Sequence, residues 1–157
     1  MSAALPIDRV ALRIAASLQH DGRQSAQQLA ERVGLSATPV WRRVRELEAG
    51  GVIRGYVALL DREKLGLSIC VLAHVTLERH SEGAVEQFEA MVRASSEIME
   101  CHSTTGEGDY LIKVVAPDMK AYDRFLQDKV FKTPGVANVR SSVVLREVKY
   151  ETALPVD

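Results

Sequence analysis

The chain has 157 residues, a formal net charge of -1 and 46% hydrophobic residues. That length holds one domain or two small ones and excludes a large barrel enzyme, and the apolar fraction excludes a wholly disordered chain. The opening MSAALPIDRVALRI carries an early acid, and no run approaches 18 apolar residues, so neither a secretory signal nor a membrane span is expected and a soluble, cytoplasmic protein is.

Charge is unevenly spread along the chain. Residues 1–60 carry eight Lys and Arg against five Asp and Glu, whereas residues 61–157 carry twelve against sixteen. A basic first segment favours phosphate locally even where the whole chain is near neutral. Within it, Ile7, Val10, Ala11, Ile14 and Leu18 recur at helical spacing through about residue 20, where Asp21-Gly22 stops the run. Ser25 is the expected N-cap of a second helix, with Gln28 at the capping-box position, a stripe of Ala26, Leu29, Ala30 and Val33, and a stop at Gly34. Ser36 or Thr38 begins a third helix that tolerates Pro39 in its first turn. Val40, Val44 and Leu47 face one way, and Trp41, Arg42, Arg43 and Arg45 occupy the remaining surface. The tight Gly34-Leu35-Ser36 join, with Leu35 expected to plug the core, makes the pair a helix-turn-helix. Residues 52–60 read as a small wing strand.

These elements fit a DNA-binding head over residues 1–60, a pattern that non-binding three-helix bundles with an amphipathic last helix share, followed by a short charged connector over 61–68. A second domain over 69–150 has another rhythm, and residues 151–157 form a tail. Strands are expected over 69–78, 98–104, 110–115 and 136–147. One helix is expected from Ser81 to Arg93 with Val85, Phe88 and Val92 inward, and a second from Pro117-Asp118 with Met119, Tyr122, Phe125 and Leu126 inward. The order strand, helix, strand, strand, helix, strand fits a ferredoxin-like βαββαβ sandwich, so the whole chain is α+β. Helices cover one sheet face only, and pairing of the other face would give a homodimer.

The head DRVALRIAASLQHDGRQSAQQLAERVGLSATPVWRRVRELEAGGVIRGYVALLD and the later block IMECHSTTGEGDYLIKVVAPDMKAYDRFLQDKVFKTPGVANVRSSVVLREVK together resemble the leucine-responsive/asparagine-responsive, or feast/famine, regulators. The resemblance covers almost the whole chain, and it is the combination of blocks that is specific. It implies a winged helix-turn-helix head that binds double-stranded DNA. It also implies a second domain that responds to a small effector, such as an amino acid, and dimers joined into larger rings, an octamer among them.

On this resemblance Ser36, Thr38, Pro39, Trp41, Arg42, Arg43 and Arg45 match the recognition-helix region. The hydroxyls donate near the helix start, and the arginines meet phosphates or base edges, which the sequence does not apportion. Trp41 is either a DNA contact or a packing residue. His102, Ser103, Thr104, Gly106, Gly108, Asp109 and Tyr110 match the region lining the effector cleft. There the glycine N–H groups would meet a carboxylate and Asp109 an ammonium, although Gly106 alone also suits a plain hairpin turn.

His20, His74, His80 and His102 have no metal-ligand cadence, and Cys70 and Cys101 read as packed thiols. No nucleophile, base and orienting group stand together, so no cofactor, metal or enzyme activity is expected. The expected function is sequence-specific transcriptional regulation modulated by a small metabolite. The rival readings are a chromatin-like architectural DNA binder and, further off, a ferredoxin-like small-molecule enzyme.

Overall fold

The computed structural model describes residues 7–78 and 83–156. The chain divides into two compact units, residues up to 59 together with residues from 149 onward, and residues 60–148. No helix among the described residues is long and apolar enough to cross a membrane.

The first unit holds α1 (Arg9–His20), α2 (Ala26–Val33) and α3 (Ala37–Ala49). Each start has a local cause. Asp8 caps α1 by accepting from the Ala11 N–H at 2.8 Å. Ser25 and Gln28 close a reciprocal capping box on α2, as the sequence predicts. Gly34 ends α2 at φ 71°, a left-handed conformation that costs glycine little, and the next N–H, of Leu35, returns to the Ala30 carbonyl at 3.0 Å. Ala11, Ile14, Leu29, Ala30, Val33, Val40, Val44 and Leu47 form the core of this unit. Leu35 does not join them. It is 40% exposed, because closing the α2 terminus in this way turns its side chain outward.

Residues 52–60 pair with no strand among the described residues, so the expected wing strand is absent from the single chain. An isolated extended segment has no neighbour to take its ladder hydrogen bonds. Tyr56 anchors it instead: the ring lies where a side chain on Gly22 would meet it at 3.1 Å, and the phenol donates to Glu48 at 3.0 Å. The last residues belong to the same unit. Gln19 donates to the Leu154 carbonyl at 3.0 Å and accepts from the Leu154 N–H at 2.6 Å.

The second unit runs β1 (Ile69–Leu77), α4 (Ala84–Ala94), β2 (Ile98–Ser103), β3 (Tyr110–Ala116), α5 (Met119–Phe125), a π turn over Leu126–Val130, and β4 (Val136–Val143). The sheet is antiparallel in the order β2-β3-β1-β4, the ferredoxin-like topology. Val71, Ala73 and Val75 on β1, Ile112 and Val114 on β3, Phe88 on α4 and Tyr122 and Phe125 on α5 form its core.

Four details depart from the sequence expectation. Ser81, the expected helix start, lies outside the described residues, and Val85 is exposed while Ala84 and Phe88 are buried. Met119 is exposed, because the inward stripe of α5 begins at Tyr122 and the π turn carries it on to Val130. Strand β4 stops at Val143 rather than 147. On β2 the register shifts between Ile98 and Glu100, so Ile98 and Cys101 both pack toward the core although strict alternation puts them on opposite faces.

Candidate DNA-binding face and effector turn

The sequence of α3 sets its two sides apart. Val40, Val44 and Leu47 are buried, whereas Thr38, Trp41, Arg42 and Arg45 are exposed, with Ser36 and Ala37 exposed at the helix start. The helix therefore stands on its own hydrophobic floor and presents a polar, basic side outward. Ser36 occupies the N-cap position, but its side chain makes no capping bond, which leaves the hydroxyl available. Pro39 is half-buried in the first turn, where its missing N–H costs nothing.

The arginines separate. Arg43 leans back onto the start of α1, and its guanidinium meets the Asp8 carboxylate at 2.6 Å with the side chain 28% exposed. The Ala11 N–H and this guanidinium hold the Asp8 carboxyl below its ordinary range against an opposing effect of desolvation. Arg43 is thus not grouped with the other two, a placement that sequence spacing alone does not reveal. Arg42 lies 3.6 Å from Glu46 along the helix, an exposed pair of little strength. Arg45 carries its guanidinium over the Trp41 ring, 5.2 Å from the centroid. Trp41 in turn lines a cleft of about 200 Å³ with Leu18, Gly22, Leu29, Val44 and Tyr56. Burial, followed by the hydrogen bond to Glu48 and its charge, pushes the Tyr56 phenol up to about 12.

The expected effector stretch forms the β2–β3 hairpin turn. Thr104 Oγ1 donates to the Gly108 carbonyl at 2.9 Å, and the Thr104 N–H to the Asp109 carbonyl at 3.0 Å. The Asp109 N–H reaches across to the Val75 carbonyl at 2.9 Å. Three of these residues also have structural ties of their own. Tyr110 is buried, packs its ring tilted by 44° against Phe88 with the centroids 4.7 Å apart, and donates to Glu89 at 3.2 Å; it is a core residue, because its position on β3 points toward α4. Gly108 is needed for close approach, since a side chain there would meet the Val75 carbonyl at 3.1 Å and the His74 side chain at 3.3 Å. One Asp109 oxygen is already engaged, accepting from the Leu77 N–H at 2.7 Å where β1 is irregular. Gly106 has open space around its Cα and is exposed.

His102 and Ser103 are exposed at the end of β2. His102 Nε2 lies 3.3 Å from Glu100, whose other oxygen accepts from Lys113 at 3.1 Å. Sequence reasoning missed the clamp from β4: Arg140 donates to the Glu107 carbonyl at 3.1 Å and its carboxylate at 2.7 Å. Only the pairing of β1 with β4 brings residue 140 alongside this turn. Cys70 is buried and Cys101 half-buried, both as free thiols, and burial with the nearby Glu89 charge pushes the Cys101 thiol up. Among the described residues no three His, Cys, Asp or Glu side chains stand where they could hold a metal ion.

Residues 7–54 match the model of a winged helix-turn-helix DNA-binding domain, and residues 70–154 that of the Lrp/AsnC ligand-binding domain. The leucine-responsive regulatory protein of Salmonella typhimurium is 45% identical over 148 residues, covering 94% of this chain and 90% of that protein. A transcriptional regulator from Neisseria meningitidis, solved in complex with L-Met, superposes with a TM-score of 0.90 at 38% identity over 94% of this chain and 96% of that one. An AsnC-family regulator from Agrobacterium tumefaciens gives a TM-score of 0.88 at 37% identity, over 94% and 96% of the two chains. A basic helix raised on its own core, a ferredoxin-like second unit and these matches along nearly the whole chain agree: the protein belongs to the Lrp/AsnC family of DNA-binding transcriptional regulators.

Proposed function

We propose that α3 enters the major groove of a duplex and that the second unit binds an amino acid near the 102–109 turn, changing assembly or DNA affinity. The observation that carries the DNA half is the division of α3, with Val40, Val44 and Leu47 buried beneath and Ser36, Thr38, Trp41, Arg42 and Arg45 outward. Pro39 sets the first turn, and Arg43 supports the face from behind through Asp8. In the effector half, His102, Ser103, Thr104, Gly106 and Asp109 offer the polar groups, whereas Gly108 and Tyr110 hold the turn in place. The bound L-Met of the Neisseria regulator supports an amino acid as the ligand class.

The protein acts as a homodimer that joins into a larger ring, an octamer by family resemblance. Support comes from apolar side chains that the single chain leaves in the open: Val57 is 84% exposed, Leu145 96% and Val148 83%. Residues 1–60 serve as the DNA-binding head and 69–150 as the effector and assembly domain, joined through 61–68 in the cytoplasm. The ligand is bound and not turned over.

Titration of the full-length protein against its own upstream region and a scrambled duplex, at one salt concentration, tests the reading. A preference of at least ~10³ for the upstream duplex is expected of a specific regulator. Equal, salt-sensitive binding to both would instead favour an architectural role. A thermal-shift panel of amino acids led by L-methionine tests the effector half, and the expected result is a raised melting temperature with at least one of them.

A further inference from the structure

The three arginines of α3 have three different partners. Arg43 is held by a carboxylate at 2.6 Å, which neutralises it and takes up N–H donors. Arg42 projects into solvent, its side chain 72% exposed beside Glu46. Arg45 has an aromatic face instead, with its guanidinium carbon 5.2 Å from the centre of the Trp41 ring. A ring face attracts the cation without accepting in-plane hydrogen bonds, so the five donors of Arg45 stay unspent and its charge uncancelled.

We propose that Trp41 is a positioning residue that holds Arg45 as the arginine reading base edges in the groove, while Arg42 contacts the phosphate backbone. This rests on α3 being the DNA-facing helix. The two side chains sit one helical turn apart, where neighbours on a helix surface meet. Trp41 is 48% exposed and lines one cleft with Tyr56 and Leu18, and the Tyr56 phenol is bonded to Glu48. Bidentate recognition of guanine O6 and N7 requires a planar guanidinium in a fixed direction, and an arginine already ordered loses less freedom on binding. A solvated Arg42 suits the less directional phosphate contact.

The test uses the full-length protein, a duplex selected by the wild type from a random pool, and a scrambled duplex of equal composition. Trp41→Ala should lower the selected-to-scrambled affinity ratio about tenfold while binding to the scrambled duplex holds, the lower end of what one bidentate base contact is worth. Arg45→Ala should lower the ratio at least as far, and the double variant no further than Arg45→Ala alone. Trp41→Phe keeps a ring face and should retain most of the ratio. Arg45→Lys keeps the charge but loses the fork, so the ratio should fall with the salt dependence unchanged. That variant leaves the Trp41 cleft intact if Trp41→Ala disturbs the head. Additive losses in the double variant would overturn the proposal, as would an equal loss on both duplexes from Trp41→Ala or full retention of the ratio by Arg45→Lys. A wild type that enriches no duplex at all would sink the DNA reading itself and the proposal with it.

Discussion

Single residues at the two turns do work that their identity only partly announces. Gly108 reads as a loop glycine, but its Cα is pressed against β1, where an added Cβ would lie 3.1 Å from the Val75 carbonyl. The neighbour is backbone and cannot swing aside. Gly108→Ala is therefore expected to destabilise the second unit by about 1–3 kcal/mol, whereas Gly106→Ala, with open space around it, should be near neutral. Paired chemical melts of the two variants measure the difference. Tyr56 offers a pH signature. Its phenol keeps its proton up to about 12 in the fold, above the ordinary tyrosine value of 10.0. A raised value means that the folded state binds the proton more tightly than the unfolded chain does. The stabilisation is therefore complete below pH 10 and fades as pH rises toward 12. Comparing wild type with Tyr56→Phe from pH 9 to 12 should show the gap between their melting temperatures narrowing; a constant gap refutes the account.

At the scale of elements, the helix-turn-helix of α2 and α3 was the most legible part of the chain. The apolar positions Val40, Val44 and Leu47, the Gly34 stop and the Ser25–Gln28 capping box are local features, each set by neighbours within a turn or two. The roles of the arginines were not legible, because Asp8, which claims Arg43, is 35 positions away in the sequence. Arg43→Ala should therefore lower the melting temperature of the head, since it leaves Asp8 without its cation. Arg42→Ala should leave that melt unchanged, weaken binding to every duplex alike and reduce the salt slope by about one. If the two variants exchange these signatures, the separation of the arginines is wrong. The wing strand failed as an expectation for a related reason: a strand needs a partner edge, and residues 52–60 find none within the described chain.

At the scale of the whole molecule, the described residues form two separate hydrophobic cores, one around Ile14 and Val40 and one around Phe88 and Ile112. Each is closed by residues of its own unit. Phe88 is fully buried, so Phe88→Ala should cost about 3–5 kcal/mol. The loss should fall on the amides of β1 to β4, with protection in α1, α2 and α3 retained. Hydrogen exchange resolved by residue reads this directly, and equal loss in both sets would mean that the cores unfold as one. The described residues from 149 to 156 belong to the first unit, where Leu154 bonds Gln19 on α1.

Periodicity, caps and turn residues by themselves determined the three-helix head, the βαββαβ order and the basic outward side of α3, since these depend on contacts within about one helical turn or on strict strand alternation. The tertiary structure alone decided where alternation breaks at the β2 bulge, that Tyr110 belongs to the core, that Arg140 clamps the 104–109 turn, and that Arg43, Arg42 and Arg45 have separate partners. Most of these features arise from pairing between residues distant in the chain. Arg42 and Arg45 each have partners one turn away, yet several neighbours lie within equal reach, and only the packed surroundings of α3 select among them.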